Sequence, residues 1–184
     1  AKEEKIRQRL GESADRVSCR WGNLVNPDPF NAIDPSEVRV IVHSAAVTRF
    51  NVDETTARRV NLEGTEKVLH FAARCPSLER FALLSTIYSS GLRSGPIEEE
   101  AMDNSSGFCN YYEWSKWASE HLLLSRFSYL PWQIFRVSTI IADDEEGQVT
   151  QQNAFHNTLK LLYYGLLSLI PGKGETPLYF ITGE

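Results

Sequence analysis

Apolar residues in this chain gather into short β-branched runs, each followed by a longer stretch with three- and four-residue spacing. The run Val38-Arg-Val-Ile-Val-His43 is almost continuously apolar, the pattern of a strand buried on both faces of a parallel sheet. Phe81 to Leu84 repeats it, and Trp132 to Val137 is the next strand. Between the first two, Asp53 is placed to cap a helix reaching about Arg74, with Val60, Val68, Leu69, Phe71 and Ala72 on its buried side and Pro76 stopping it. Residues 112 to 127 form the next helix, carrying Trp114, Trp117, Ala118, His121 and Leu122, and Pro131 separates it from the third strand. At the N-terminus, Ile6 and Leu10 mark an amphipathic helix. After Gly11 the alternation from Arg16 to Arg20 predicts a short strand, followed by a loop holding Pro27 and Pro29. An acidic loop from Asp143 to Glu146 leads to a helix near 151–168, a short strand at Leu178 to Ile181 completes the pattern, and Gly172-Lys-Gly174 reads as a turn.

Strand and helix alternate throughout, which predicts an α/β fold: a doubly wound parallel sheet, Rossmann-like, with ligands beyond the carboxyl ends of the strands. Three clusters stand there: His43-Ser-Ala-Ala46, Ser85-Thr86 and Arg136-Val-Ser-Thr139. A Rossmann-like domain should also open on a strand and a glycine-rich turn, yet no G-x-G-x-x-G occurs and the chain starts on a charged helix. Residues 1–184 are therefore expected to be one partial domain, truncated at both ends, with the substrate-side region starting at about 150. Without the phosphate cradle, the chain alone is expected to bind dinucleotide weakly and to be inactive.

The 184 residues, 42% hydrophobic and 23% charged, suit one globular core. A formal net charge of -5 removes the basic field that a nucleic-acid partner would require. The longest apolar candidate, Leu161 to Ile170, is broken by Gly165 and Ser168 and is expected as a core helix rather than a membrane span. Three scattered cysteines and four histidines, none at metal-ligand spacing, point to a reducing, cytoplasmic setting without a metal.

The chemistry concentrates on Tyr112-Glu-Trp-Ser-Lys116, where a phenol and an ammonium stand four residues apart on one helical face. An adjacent Lys⁺ favours the phenolate, so Lys116 is expected to bring Tyr112 below its ordinary pKa. Thr86 or Ser85 at a strand end supplies a second hydroxyl for a substrate oxygen, and Ala45-Ala46 leaves room for a flat ring beside the backbone.

In these residues the chain resembles the extended short-chain dehydrogenase/reductase family. The matching pieces are Trp21-Gly-Asn-Leu24, His43-Ser-Ala-Ala46, Val60-Asn-Leu-Glu-Gly-Thr65, Leu84-Ser-Thr86 and Tyr112 to Lys116. Within the family, Asn110 to Glu120, Leu78-Glu-Arg-Phe81 and Leu169-Ile-Pro-Gly172 are similar to thioester reductases and fatty acyl-CoA reductases. The resemblance implies catalytic roles for Thr86, Tyr112, Lys116 and Asn61. Thr86 would polarise the carbonyl, Tyr112 would protonate the oxyanion, Lys116 would tune Tyr112 and hold the nicotinamide ribose, and Asn61 would hold the geometry. It also implies that Asn23 and Leu24 border the adenine, that Ala45 and Ala46 pass beside the cofactor, and that Val137 and Ser138 flank the nicotinamide. Asn23 stands where the family commonly has an acidic residue, and Val137 where relatives often have Pro.

The implied activity is an NADPH-dependent oxidoreductase, with NADH as second choice, reducing a small-molecule or carrier-bound acyl thioester to aldehyde or alcohol. An acyl carrier protein is then the candidate partner. Two other readings share these residues: a nucleotide-sugar epimerase or dehydratase with tightly bound NAD, and a degenerate, non-enzymatic relative. The apolar helix faces suit sheet packing and dimerisation equally, so oligomeric state is left open.

Overall fold

The computed structural model describes residues 2–142, 149, 152–169 and 178–182. Strands β1 (Val40–His43), β2 (Arg80–Thr86) and β3 (Trp132–Val137) form a parallel sheet in that order. Ahead of the sheet lies helix α1 (Lys2–Leu10), and two crossovers join the strands, through helices α2 (Glu54–Thr56) and α3 (Glu63–Ala72) and then through α4 (Tyr111–Arg126). This is the expected Rossmann-like arrangement. In register, Val42 pairs with Ala82, His43 with Leu83, Ser85 with Arg136 and Thr86 with Val137, so the three carboxyl ends lie side by side.

The core shows why these runs became strands. Phe81 and Leu83 of β2 point into one cluster with Val68, Leu69 and Ala72 of α3 and Leu123 of α4, while Ile41 and Ile134 pack against it. Helices α3 and α4 thus cover the same face of the sheet. On the other face Val40 is 54% exposed and Val42 62% exposed. The expectation of a first strand buried on both faces is corrected accordingly: only Ile41 and His43 turn toward the helices.

Asp53 caps α2 as expected, accepting the Thr56 N–H at 2.9 Å. Replacing an exposed N-cap carboxylate by methyl leaves that N–H to water, so Asp53→Ala is expected to lower the urea unfolding midpoint slightly, with the slope unchanged. Between α2 and α3 the chain widens into a π-helical turn, Ala57–Leu62, which the periodicity did not announce.

Three other expectations change. Gly11, at φ +52°, leads into a 3-10 turn over Gly11–Arg16, and no strand forms at Arg16 to Arg20. Val17 has extended angles, but no neighbouring strand pairs with the segment among the described residues, so its alternation has no ladder to join. Helix α5 (Ala154–Tyr163) is shorter than 151–168, because Asn153 caps it at Phe155 and His156 and Gly165, at φ +67°, turns the chain past its end. The core helix expected at Leu161 to Ile170 is not found: α5 buries no residue, and Leu161, Leu166 and Leu169 are exposed. The short C-terminal strand is found as β5 (Phe180–Ile181), pairing with β4 (Thr139–Ile140) just beyond β3. The turn at Gly172-Lys-Gly174, the acidic loop at Asp143 to Glu146 and the family match at Ile170 to Gly172 lie outside the described residues. Among the described residues no helix is long and apolar enough to cross a membrane.

Candidate active site

Asn110 starts α4 by accepting the Glu113 N–H at 3.0 Å, and this fixes the phase of the helix. With that phase, Tyr112, Lys116 and Glu120 fall on one stripe facing the ends of β2 and β3, and all three are buried. Tyr112 stands there beside Thr86, whose Oγ1 accepts the Tyr88 N–H at 3.3 Å; burial holds the phenol above its ordinary range, the nearby Thr86 hydroxyl opposes the rise, and Tyr88 and Glu113 add to it. Lys116 directs its Nζ to the Leu84 carbonyl oxygen at 2.6 Å. The expectation that Lys116 draws the phenol down is therefore corrected. Desolvation dominates at Tyr112, and one of the three ammonium donors is engaged by the backbone of β2. Lys116 itself is brought from 10.5 down to about 8 by burial, with Glu120 opposing the shift.

Asn61 sits in the π-helical turn and is 1% exposed. Its Oδ1 accepts the Val47 N–H at 2.8 Å, and its Nδ2 donates to the Val47 carbonyl at 3.0 Å and to Ser115 Oγ at 2.9 Å. Ser115 in turn donates to the Tyr112 carbonyl at 2.8 Å. One side chain thus joins the loop after β1 to the helix that carries the phenol. Sequence reading did not single out Ser115 or Ser119, whose hydroxyl reaches the Asn61 carbonyl at 3.2 Å.

His43 closes the base of the site, its Nε2 at 2.9 Å from Thr65 Oγ1. Burial first, and the Lys116 charge second, bring its pKa from 6.5 down to about 4, so it is neutral at physiological pH. Ala45 and Ala46 follow at the carboxyl end of β1, the first exposed and the second half-buried. Phe50 stands between Tyr88 and Tyr112, with ring centroids 5.6 Å and 5.7 Å away.

The remaining predicted residues are engaged locally. Val137 pairs with Thr86 across the sheet. Ser138 donates its hydroxyl to the Tyr179 carbonyl at 2.5 Å, tying the end of β3 to the segment before β5. Asn23 closes a turn on the Val25 N–H at 3.0 Å. Leu24 packs so near α3 that a Cβ on Gly64 would lie 3.2 Å from its own. Lys67 grips this turn through the carbonyls of Leu24, Val25 and Asn26 at 2.8, 3.2 and 2.9 Å. The structure therefore brings Thr86, Tyr112, Lys116, Asn61, Val137 and the Ala45-Ala46 strand end together. It gives Asn23 and Leu24 a place on α3.

A phenol, a hydroxyl and an ammonium at adjoining strand ends, beside two alanines with little bulk, fit the nicotinamide-ribose end of a dinucleotide by their chemistry. No glycine-rich turn of backbone N–H groups stands beside them among the described residues.

The family model described as male sterility protein matches residues 5–181. A linear gramicidin synthase of Brevibacillus parabrevis is 31% identical over 146 residues, 73% of this chain and 3% of that protein. A chloroplastic fatty acyl-CoA reductase 2 of Arabidopsis thaliana is 41% identical over 64 residues, 35% of this chain and 10% of that protein. In structure, the terminal R domain from the myxalamid PKS-NRPS biosynthetic pathway superimposes with a TM-score of 0.81 at 22% identity, covering 98% of this chain and 48% of that one. The chain thus spans a small fraction of the curated relatives and about half of the solved domain.

Proposed function

Since the chain belongs to the NAD-binding family of the male sterility protein, we propose that it reduces an acyl thioester at Thr86, Tyr112 and Lys116, using a reduced nicotinamide dinucleotide. The observation that carries this reading is the buried meeting of the Tyr112 phenol with Thr86 at the end of β2, with Lys116 one helical turn on. A reduced nicotinamide dinucleotide held here, NADPH in the first place, would supply the hydride to the carbonyl carbon. The residues manage the charge that the hydride leaves on oxygen.

Thr86 donates a hydrogen bond to the carbonyl oxygen and polarises it. Tyr112, kept protonated at neutral pH by burial, gives its proton to that oxygen as negative charge develops; the thiohemiacetal so formed then breaks its C–S bond, its hydroxyl proton passing to the departing thiolate, and leaves aldehyde and free thiol. Lys116 remains mainly charged below about 8 and stabilises the phenolate left behind. Ala45 and Ala46 admit the flat ring beside β1, Val137 and Ser138 flank it, and Asn23 and Leu24 form the adenine side. Asn61 holds α4 in place. The region from about 150 onward, with α5 and β5, begins the substrate side.

Names among the relatives include a fatty acyl-CoA reductase and a linear gramicidin synthase, which supports a thioester substrate, on coenzyme A or on an acyl carrier protein; the scattered, unpaired cysteines support a reducing, cytoplasmic setting. The test uses the full-length gene product containing these residues, incubated with NADPH or NADH and a panel of acyl-CoA and acyl-carrier thioesters. Loss of the reduced nicotinamide absorbance with release of free thiol is expected. Tightly held NAD⁺ together with conversion of a nucleotide sugar, and no thioester turnover, would overturn the reading.

A further inference from the structure

The most heavily buried charge among the described residues is Glu120, 2% exposed, one turn beyond Lys116 on the same stripe of α4. Its two oxygens face different strands. Oε1 accepts the Ser85 hydroxyl, and Oε2 accepts Arg136 Nε at 3.1 Å and Nη2 at 2.8 Å. Ser85 and Arg136 are register partners in β2 and β3, and each immediately precedes a residue of the site, Thr86 and Val137. Arg136 also donates to the carbonyls of Glu100 at 2.8 Å and Glu98 at 3.4 Å, which holds its guanidinium from behind.

A carboxylate removed from water destabilises a fold unless both oxygens are paired. Here the pairing is complete, and it lies next to the ammonium on which the proposed proton transfer depends. We infer that Glu120 is a positioning residue: clamped by Ser85 and Arg136, it docks α4 on the ends of β2 and β3 and sets its buried carboxylate one helical turn from the Lys116 ammonium.

Each element around Lys116 contributes defined groups. From β1 comes His43, neutral at physiological pH; from β2 and the turn after it come Ser85, Thr86 and Tyr88; from β3 comes Arg136. Its own helix contributes Tyr112 and Glu120, while the buried Glu113, three residues before Lys116, has its carboxylate taken up by the Cys109 N–H and by Asn110 Nδ2. The π-helical turn offers uncharged Asn61, its Arg58 lying over the Trp114 ring instead, 4.7 Å from the centroid. Glu120 is thus the one anion facing Lys116 among the described residues. Removing Glu120 or Arg136 therefore has opposite electrostatic consequences, although both break the same clamp.

The inference rests on Lys116 belonging to the proton machinery, but its test needs no turnover, so failure of thioester reduction would leave it standing. The full chain labelled with ε-¹³C-lysine is titrated by NMR, with Lys116 assigned by Lys116→Arg. In Glu120→Gln, Lys116 is expected to lose its proton about one pH unit lower than in the parent. In Arg136→Gln, which leaves the anion and removes a cation, it is expected to move the other way. Ser85→Ala keeps every charge and, as the mildest change, provides the folded control in which Lys116 is unmoved. Shifts of the same sign in Glu120→Gln and Arg136→Gln, no shift in either, or a Ser85→Ala shift as large as that of Glu120→Gln would overturn the inference. In the complete enzyme the alkaline limb of kcat should follow the same order, while KM for the dinucleotide stays near its parent value.

Discussion

Tyr112→Phe is expected to lower kcat by roughly 10²–10⁴-fold, the range spanned by a positioned general acid. The substitution removes one oxygen. The ring keeps its contact with Phe50, and Lys116 keeps its bond to the Leu84 carbonyl. What disappears is the only proton that the buried phenol can deliver, at a place beside Thr86. Thr86 still polarises the carbonyl, so residual turnover is expected. Losing one hydroxyl costs about 1 kcal/mol of stability, so the melting transition serves as the control for folding. Dinucleotide affinity, measured by calorimetry on the full-length gene product, should change little. Retention of full activity would remove Tyr112 from the mechanism. A loss of affinity as large as the loss of rate would instead make the phenol a binding group.

The same position shows what a linear reading can and cannot carry. Residue type and the four-residue step place Tyr112 and Lys116 together, because helical geometry depends only on spacing. The direction of the phenol's pKa does not follow from spacing. It depends on how much water the surrounding elements exclude, and the Leu84 carbonyl that engages Lys116 belongs to another element. Glu120 lies on the visible stripe, and the spacing could have singled it out, yet its pairing with Arg136 arises only when β3 settles beside β2. The strands were legible where apolar runs were continuous, as in β2, whose Phe81 and Leu83 fill the core. Arg16 to Arg20 misled because a short alternation becomes a strand only beside a partner. The exposed side of β1 was illegible for a related reason: a β-branched run does not reveal which of its faces a neighbour covers.

Asn61→Ala is expected to cost the fold roughly 3 kcal/mol, because two bonds to Val47 and one to Ser115 are lost together. Each such bond is worth about 1 kcal/mol net, and a buried group left unpaired costs about 1–3 kcal/mol. The upper end is relieved because Ser115 keeps its donor bond to the Tyr112 carbonyl and the backbone carbonyl of Asn61 keeps Thr65 and Ser119. The expectation therefore lies well above the Asp53→Ala loss, although both residues are helix-associated polar groups, since Asp53 faces water and Asn61 does not. Urea unfolding should show a lower midpoint with an unchanged slope. In the full-length enzyme the same substitution should also reduce turnover, because the link from Val47 to Ser115 fixes where Tyr112 stands against Thr86. If stability fell by no more than in Asp53→Ala, the π-helical turn would be held by its backbone and apolar contacts, and Asn61 would not be the bridge between β1 and α4.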